Sequence, residues 1–549
     1  MFKSNKKIFG SDLPTWLLAT CLFFLLGIFS FGAQIFNIML SGDGWYAFLH
    51  PDYQNSWTVV LGRYLSPLIW KLIGNNELAN SFLYFYFFVS IWILFLLILS
   101  RTKYISPASV FVSSSIFLLT PSLIEMSAFQ VDIPVRSTGI ILLGIALYFA
   151  WDKDKSHPEE NYQLYLNIQR ASISVICLVA CAASYQPIAL MFVPGFLLIS
   201  FFNKRLNLAH VVKGLVLCII SVVLYFLLWK LLRLYFSFGF FEFNYINENY
   251  DIRLQSSTSI LQRLITVIEN LIEFIILPKS EMSAAASIFL MLFSGWSVFI
   301  FMPNKKLRYK IVFTSIFLIL LIGIIPALIF IYKGAVTALR PQALIGMYFT
   351  PALLIGAALE RTSLFSLRAD RYFWFIVFFL IGIQSFQTSS VMTHKQAAYE
   401  KDIITGQAII SDLMDIAPNP SSIKVKILIG SLKSKLYTPN ETYYTLPMSS
   451  RWTTTNNCHI FDCFPRHTVE LLKMVAPPQV ELNIEVINMN KREPISISEI
   501  YKIPLEQIPY WPNRDSIQVL DDDSLLLKLK DQRDRKFFTE NKLIRKQLG

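Results

Sequence analysis

An acidic residue between two glycines, Asp43, is a candidate general base. It lies in the run SGDGWY, residues 41–46, just after an apolar stretch that ends near residue 39. Glycine lets the backbone turn and leaves room for a substrate, and a positioned carboxylate can take a proton from a reacting hydroxyl. The same run also suits an ordinary solvated turn, because aspartate and glycine are common turn residues.

Arg63, in the run Gly62-Arg63-Tyr64, is a candidate phosphate ligand. The stretch from Trp57 to Ile73 has an amphipathic pattern and is predicted to rest on the membrane surface. A guanidinium group there can bind a phosphate through two parallel hydrogen bonds. An arginine whose side chain merely extends along the membrane toward water would carry the same signature.

Two further polar pairs lie near the ends of apolar stretches. Asp132 and Arg136 are spaced for an ion pair across one helical turn, which on its own is a structural feature. Tyr185 and Gln186 precede Pro187, which favours a helix break. Irregular backbone at membrane depth is tolerated mainly where it is buried in protein or lines a wet cavity. This favours a site wall at Tyr185, with a simple interfacial turn as the alternative.

A last group of candidates is cationic. Lys230 and Arg233 share one helical face near the end of a long apolar stretch, and Lys333 and Arg340 flank a later loop. They fall on the side of the membrane where positive charge opposes the usual bias. Positive charge there suits a lipid-linked phosphate or pyrophosphate, and anchoring to anionic lipid head groups is the alternative.

These candidates are separated by apolar blocks long enough to cross a bilayer. The chain has 549 residues, of which 54% are hydrophobic and only 16% charged, whereas soluble domains carry about 25% charged residues. The pattern predicts an all-α polytopic membrane protein with about eleven transmembrane helices. The predicted spans are 14–39, 80–100, 104–121, 134–151, 171–185, 187–202, 211–236, 284–302, 311–332, 343–359 and 373–390.

The placement of lysine and arginine predicts the orientation. One set of loops is rich in cations and is therefore predicted to be cytoplasmic, together with the N-terminus. An odd number of spans then places the tail outside, so that residues 1–390 form the membrane domain and 391–549 a periplasmic domain. The net charge of +12 lies mainly between apolar blocks, so we attribute it to topology and expect no nucleic-acid partner.

The tail has the pattern of a small α/β domain. A helix is predicted at 395–416, strands at 423–430 and 479–488, and a hairpin at 516–530. Cys458 and Cys463 lie in this tail, where an extracytoplasmic location would permit a disulfide. One neighbouring histidine is too few for a zinc site, so no metal is expected.

The membrane part, roughly residues 10–390, resembles the type-C glycosyltransferases. It most resembles the phage-type glucosyltransferases that modify bacterial O-antigen and convert serotype. The resemblance rests on Asp43 after the first span, the run Gly62-Arg63-Tyr64, Tyr185-Gln186 at a helix end, and Arg340 before a late span. The sequence departs from the family in the first loop. Two adjacent acidic residues are common there in the family, but in this sequence Asp43 is followed by Gly44 and the next acidic residue is Asp52.

The resemblance implies that a sugar moves from a polyprenyl phosphate to O-antigen or another lipid-linked glycan. In the phage-type glucosyltransferases this sugar is glucose. The reaction would take place at the periplasmic face of a bacterial inner membrane, inverting the sugar and using no cofactor. Asp43 would take the acceptor proton, with Asp52 a possible assistant. The leaving lipid phosphate would be stabilised by Arg63, Arg340, Lys230 and Arg233.

Two other classes of function fit a polytopic chain. An O-antigen polymerase or ligase would not require an acid after the first span, and a large outer C-terminal domain would be unusual for one. A lipid or sugar transporter predicts charged residues within spans and internal repeats. Charge within the predicted spans is nearly absent, and the sequence shows no strong repeat.

Overall fold

A computed structural model provides the structure. It describes residues 13–37, 58–73, 80–102, 104–120, 123–124, 132–151, 160–203, 208–237, 345–363, 369–429, 465–488, 514–520 and 523–529, with isolated positions between 290 and 311. The chain divides into two compact units, with the described residues up to Met392 in the first and those from Thr393 in the second.

The described part of the first unit consists of helices and the short turns between them. Its helices are α1 (Leu13–Phe36), α2 (Ser66–Ile73), α3 (Asn80–Leu99), α4 (Pro107–Leu118), α5 (Ile133–Ala150), α6 (Glu160–Ser184), α7 (Gln186–Ala189), α8 (Phe192–Phe202), α9 (Leu208–Ser237), α10 (Ile345–Ser363) and the part of α11 (Ala369–Ile416) up to Met392, after which the helix continues in the second unit. Among the described residues, 5 helices are long and apolar enough to cross a membrane: α1, α3, α5, α6 and α9. Shorter apolar helices occupy Pro107–Leu118, Gln186–Phe202, Tyr348–Glu360 and Trp374–Ser390.

The predicted all-α polytopic architecture is therefore confirmed. The predicted span 311–332 lies almost wholly outside the described residues, and the predicted span 284–302 is described only in part. Helix α6 begins at Glu160, well before the predicted start at 171. The apolar pattern predicted only the part of this helix that suits the membrane, because the first turns carry polar side chains.

The helix break predicted at Tyr185 is confirmed. Helix α6 ends at Ser184, and Tyr185 is extended, with φ −154° and ψ 104°. In an unbroken helix the carbonyl of Ala183 would accept a hydrogen bond from residue 187, but Pro187 has no amide hydrogen. The amide of Leu65 donates to the Ala183 oxygen instead, at 3.1 Å. The proline thus frees a carbonyl that ties the 58–73 segment to the end of α6.

Hydroxyl and amide side chains link helices inside the first unit. Ser30 of α1 shares a 2.6 Å hydrogen bond with Ser385 of α11, and Ser113 of α4 donates to the Ala352 carbonyl of α10 at 3.0 Å. Gly356 makes the second contact possible, since a Cβ there would lie 2.0 Å from the Ser113 hydroxyl. Without a hydrophobic driving force between helices in lipid, small residues and such hydrogen bonds favour association.

Loops that the charge bias placed on one side of the membrane do meet at one end of the first unit. The Arg101 guanidinium lies 3.4 Å from the Tyr148 ring centroid, and its Nε donates to the Tyr148 carbonyl at 2.9 Å. Asn203 donates to the Arg101 carbonyl at 2.8 Å, and Arg170 donates to the Trp151 carbonyl at 2.9 Å. The two arginines thereby satisfy carbonyls at the C-terminal end of α5, where cations are favourable.

Reporter fusions should give the orientation of this end. We expect a reporter fused after Asn203 to report the cytoplasm, and reporters fused after Tyr185 and Ser390 to report the periplasm, because cation-rich loops stay inside. Alkaline phosphatase activity and green fluorescence, measured on the same truncation points, give opposite signals on the two sides. A cytoplasmic location for the Ser390 fusion would contradict the predicted topology of the tail.

The second unit contains one mixed four-stranded sheet. Its strands are β1 (Ser422–Ile429), β2 (Glu481–Asn488), β3 (Ile517–Val519) and β4 (Leu525–Leu529), and their order is β2-β1-β4-β3. β1 is parallel to β2 and β4, and β3 and β4 form an antiparallel hairpin. Parallel neighbours need a crossover, and helix α12 (Pro465–Val475) lies between β1 and β2 in the chain.

The alternation of apolar and polar residues along β1 explains which face of this sheet is buried. Ile423, Val425 and Ile427 are buried with Leu413 of α11 and Leu471 of α12, whereas Lys424 is exposed. The predicted α/β tail is therefore confirmed, including the hairpin, whose turn places Asp523 at φ 59°. Aspartate tolerates this left-handed conformation better than most residues. The helix predicted at 395–416 is not a separate element, because it forms one continuous helix, α11, with the predicted span 373–390. Cys458 and Cys463 lie outside the described residues, so their disulfide stays a prediction.

Candidate functional site

Five side chains that the sequence offered as separate candidates lie together at one end of the first unit. They come from the turn before α2, the start of α5 and the break after α6, and they are Arg63, Asp132, Arg136, Tyr185 and Gln186. This is the opposite end from the Arg101 contacts, since the start of α5 and the end of α6 lie here. We call these five residues the arginine cluster.

The amphipathic segment that carries Arg63 is not one continuous helix. Residues 58–60 are helical, the chain turns at 61–65, and α2 begins only at Ser66. The turn depends on Gly62, whose φ of +83° is strained for any residue with a Cβ. The Arg63 side chain is only 20% exposed. The break in the helix explains why this side chain packs against protein and does not extend toward water.

Side chains from two helices hold this turn by its carbonyl groups. Gln186 Nε2 donates to the Leu61 oxygen at 2.6 Å and to Tyr225 Oη at 3.0 Å. Tyr225 Oη in turn donates to the Gly62 oxygen at 3.1 Å. The contacts to the Leu61 and Gly62 oxygens satisfy backbone acceptors that the turn itself leaves open. Contacts within the protein therefore hold this turn in place.

Arg63 is oriented by three groups of the arginine cluster. Its guanidinium carbon lies 4.4 Å from the centroid of the Tyr185 ring, within cation–π range. Its Nε lies 3.4 Å from Gln186 Oε1, which is a long hydrogen bond. Its Nη1 lies 3.9 Å from Asp132 Oδ2, at the limit of an ion pair.

Arg136 approaches the same ring and the same carboxylate but is far more buried. Its Nη2 donates to Asp132 Oδ2 at 2.6 Å, its guanidinium carbon lies 4.9 Å from the Tyr185 centroid, and its side chain is 2% exposed. The predicted ion pair across one turn is thus present. Asp132 precedes the first turn of α5, where a negative charge also interacts favourably with the helix dipole.

Tyr64 lines the same turn without joining the arginine cluster. Its ring stacks on Tyr225, with centroids 5.9 Å apart and an interplanar angle of 21°. Its hydroxyl is buried and, among the described residues, makes no hydrogen bond. Burial raises the pKa of Tyr64 to about 12. The phenol therefore stays protonated at neutral pH and can only act as a neutral group.

Of the two cations predicted on α9, Arg233 lies farther along the row of aromatic rings that Tyr64, Tyr225 and Trp229 form. Trp229 stacks on Tyr225 at 6.4 Å and donates to the Val59 carbonyl at 2.9 Å. The Arg233 guanidinium lies 5.2 Å from the Trp229 ring. Lys230 is on the exposed side of α9 and, within the described part of the chain, forms no ion pair.

Tyr225 and Trp229 are site residues that the sequence analysis missed. With Arg233 they recur every four residues near the end of an apolar helix, which puts all three on one face. Aromatic rings with polar tips are enriched at membrane interfaces. That spacing is the signal by which they could have been found.

The remaining predicted site residues lie outside the described residues: Asp43, Asp52, Lys333 and Arg340. Their roles stay predictions. Within the described ranges, no group of histidine, cysteine, aspartate and glutamate side chains could hold a metal ion.

The geometry of the arginine cluster suits an anion at a membrane surface. A planar guanidinium can stack on a ring and form paired hydrogen bonds to phosphate or carboxylate oxygens. Asp132 and Tyr185 hold both guanidinium groups on one side of the turn, and Arg63 is the more exposed of the two.

Comparison with known proteins gives little more. Neither a protein-family model nor a curated protein matches this chain. Among solved structures, it is similar to ArnT from Cupriavidus metallidurans bound to undecaprenyl phosphate, with 12% identity, 88% of this chain and 90% of that chain covered, and a TM-score of 0.37. A TM-score this low establishes neither a common fold nor a common activity.

Proposed function

We propose that this protein is a membrane glycosyltransferase that moves a sugar from a polyprenyl-phosphate donor to a glycan acceptor at the periplasmic face. The observation that carries the proposal is the arginine cluster, built at one end of a multi-pass helical protein. A phosphate that is attached to a long apolar chain must bind where cationic groups meet the membrane. Arg63 would lie at such a place, on a turn that side chains of two helices hold through hydrogen bonds.

In the proposed reaction the acceptor hydroxyl attacks the anomeric carbon of the sugar. The new carbon–oxygen bond forms as the bond from that carbon to the phosphate oxygen breaks, and the electron pair leaves with the phosphate. Asp43 takes the hydroxyl proton, and Arg63 stabilises the charge that develops on the leaving group. One direct displacement inverts the sugar. The resemblance seen in the sequence supports glucose as the sugar and O-antigen as the acceptor.

Transfer by purified protein tests the proposal. Polyprenyl-phosphate glucose with a radiolabelled sugar, incubated with acceptor glycolipid and enzyme in detergent, should give labelled glycolipid and free polyprenyl phosphate. Movement of the donor across vesicles without transfer would instead support the transporter class. Mass analysis of the O-antigen with and without the protein identifies the sugar and the linkage.

Replacing Arg63 should weaken the use of the donor. We expect Arg63→Lys to lower kcat/KM for the lipid donor by roughly tens-fold, because a lysine keeps the charge but loses the paired hydrogen bonds and the stacking on Tyr185. Arg63→Ala should cost about tenfold more. Both are measured as initial rates against donor concentration.

Arg101→Lys is the matched control, because Arg101 also lies on a tyrosine ring but at the other end of the bundle. It should leave kcat/KM for the donor within about twofold of wild type, a difference of less than about 0.5 kcal/mol. Equal losses in both lysine variants would mean that Arg63 only supports the fold.

A further inference from the structure

Asp132 is shared unequally by the two arginines of the cluster. Its Oδ2 lies 2.6 Å from Arg136 Nη2 and 3.9 Å from Arg63 Nη1. Arg136 is 2% exposed, so the short contact anchors the carboxylate at a fixed place. Arg63 is 20% exposed and is only loosely attracted to it. A phosphate that binds Arg63 must therefore do so with a fixed negative charge close by.

The charge on the lipid phosphate changes during the proposed reaction. In the donor the phosphate is a diester, linked to the lipid and the sugar, and carries one negative charge. After transfer it is a monoester, whose charge at pH 7 is about −1.5 to −2. Arginines that bind the donor well enough for reaction therefore bind the product more tightly, and a product that is held tightly limits turnover.

We infer that Asp132 is a positioning residue that weakens the binding of the lipid phosphate product and so favours its release. The inference rests on the proposed function, since it concerns the same phosphate at the same arginines. Repulsion between two charges grows with their product. The Asp132 carboxylate thus opposes the monoester product more strongly than the diester donor.

A purely structural role for Asp132 predicts the opposite result. Without the carboxylate, Arg136 loses its short contact, and a buried charge that loses a partner destabilises the fold. A damaged arginine cluster should bind every phosphate less well. The sign of the change in affinity therefore separates the two roles.

Binding of farnesyl phosphate to purified protein in detergent tests the inference. In Asp132→Asn the Kd of this monoester should fall about tenfold, which corresponds to about 1.4 kcal/mol. The Kd of methyl farnesyl phosphate, a diester with one negative charge, should fall only about three- to fivefold. In turnover assays, inhibition by added polyprenyl phosphate should strengthen in parallel with the monoester Kd.

Asp412→Asn is the matched control for net charge. Asp412 lies in the second unit, 3.9 Å from Arg514, so its replacement adds the same charge to the chain at a residue that is not part of the arginine cluster. Its Kd for both probes should stay within about twofold of wild type.

A second pair of variants tests the inference even if Asp132→Asn alone does not fold. In Arg136→Gln the buried guanidinium is gone, and the double variant Arg136→Gln with Asp132→Asn should bind the monoester more tightly than Arg136→Gln alone. The inference would be wrong if wild type binds the monoester but neither Asp132→Asn nor the double variant binds it more tightly than its own reference protein. The proposed function would then still stand. Absence of binding and of transfer in wild type would overturn both.

Discussion

Asp43→Asn should abolish measurable sugar transfer while the protein still inserts into the membrane at its normal level. A sugar hydroxyl is a poor nucleophile until its proton is removed, and a positioned carboxylate contributes roughly 10²–10⁴-fold to the rate. Asparagine keeps the size and hydrogen-bonding shape of aspartate but cannot take the proton. Transfer of labelled sugar by purified enzyme measures the loss, and immunoblots of membranes measure the protein level.

Asp52→Asn decides which carboxylate is the base. We expect a smaller loss than in Asp43→Asn, because Asp52 lies farther along the chain from the end of the first span. An active Asp43→Asn beside an inactive Asp52→Asn would assign the proton transfer to Asp52. Activity in both variants would rule out the proposed mechanism.

Gly62→Ala should reduce transfer about a hundredfold, because the turn that carries Arg63 cannot accept a Cβ. At φ +83° an alanine is strained, by roughly 1–2 kcal/mol. Its Cβ would also lie 2.1 Å from Tyr225 Oη and 3.0 Å from Gln186 Nε2. Both side chains must then move, and a misplacement of about 1 Å in a site can cost ~10²-fold. Initial rates of transfer and thermal unfolding are measured together.

Gly382→Ala is the matched control, since Gly382 lies in α11 with nothing within 4 Å of an added Cβ. It should keep full transfer activity, and its helix should be unchanged or slightly more stable, by about 0.5–1 kcal/mol. If Gly62→Ala transferred sugar as well as Gly382→Ala, the geometry of the turn would not matter to the reaction.

The polar contacts of the site explain why the two glycines should differ. Tyr225 and Gln186 are each bonded to a carbonyl of the Gly62 turn and to one another. Contacts that belong to one network do not act independently, so the loss of one weakens the others. Gly382 has no such role in the described structure, and an alanine there adds only a methyl group to the helix surface.

The sequence by itself determined the class of fold and the ends of most elements. Apolar blocks of membrane length can only form helices in lipid, because each backbone group must find its partner within the segment. Alternating apolar residues such as Ile423, Val425 and Ile427 likewise predicted a strand buried on one face. Pro187 predicted the break at Tyr185, since a missing amide hydrogen acts locally.

The sequence also named all five residues of the arginine cluster, but for three separate reasons. Asp132 and Arg136 were recognisable as a pair from their spacing alone, because a helical turn brings such residues together. Nothing local related them to Arg63 or to Tyr185, which lie far away in the chain. Periodicity describes one element at a time and carries no information about which elements are neighbours.

Only the tertiary structure decided that these residues share one site. The turn at Gly62 interrupts the amphipathic stretch from Trp57 to Ile73. Hydrogen bonds from Tyr225 and Gln186, which lie elsewhere in the chain, stabilise this turn. Because those partners are distant in sequence, the turn could not be predicted from residues 57–73. The same contacts, together with the carbonyl that Pro187 leaves open for Leu65, bring Arg63 to the Tyr185 ring and give the arginine cluster its geometry.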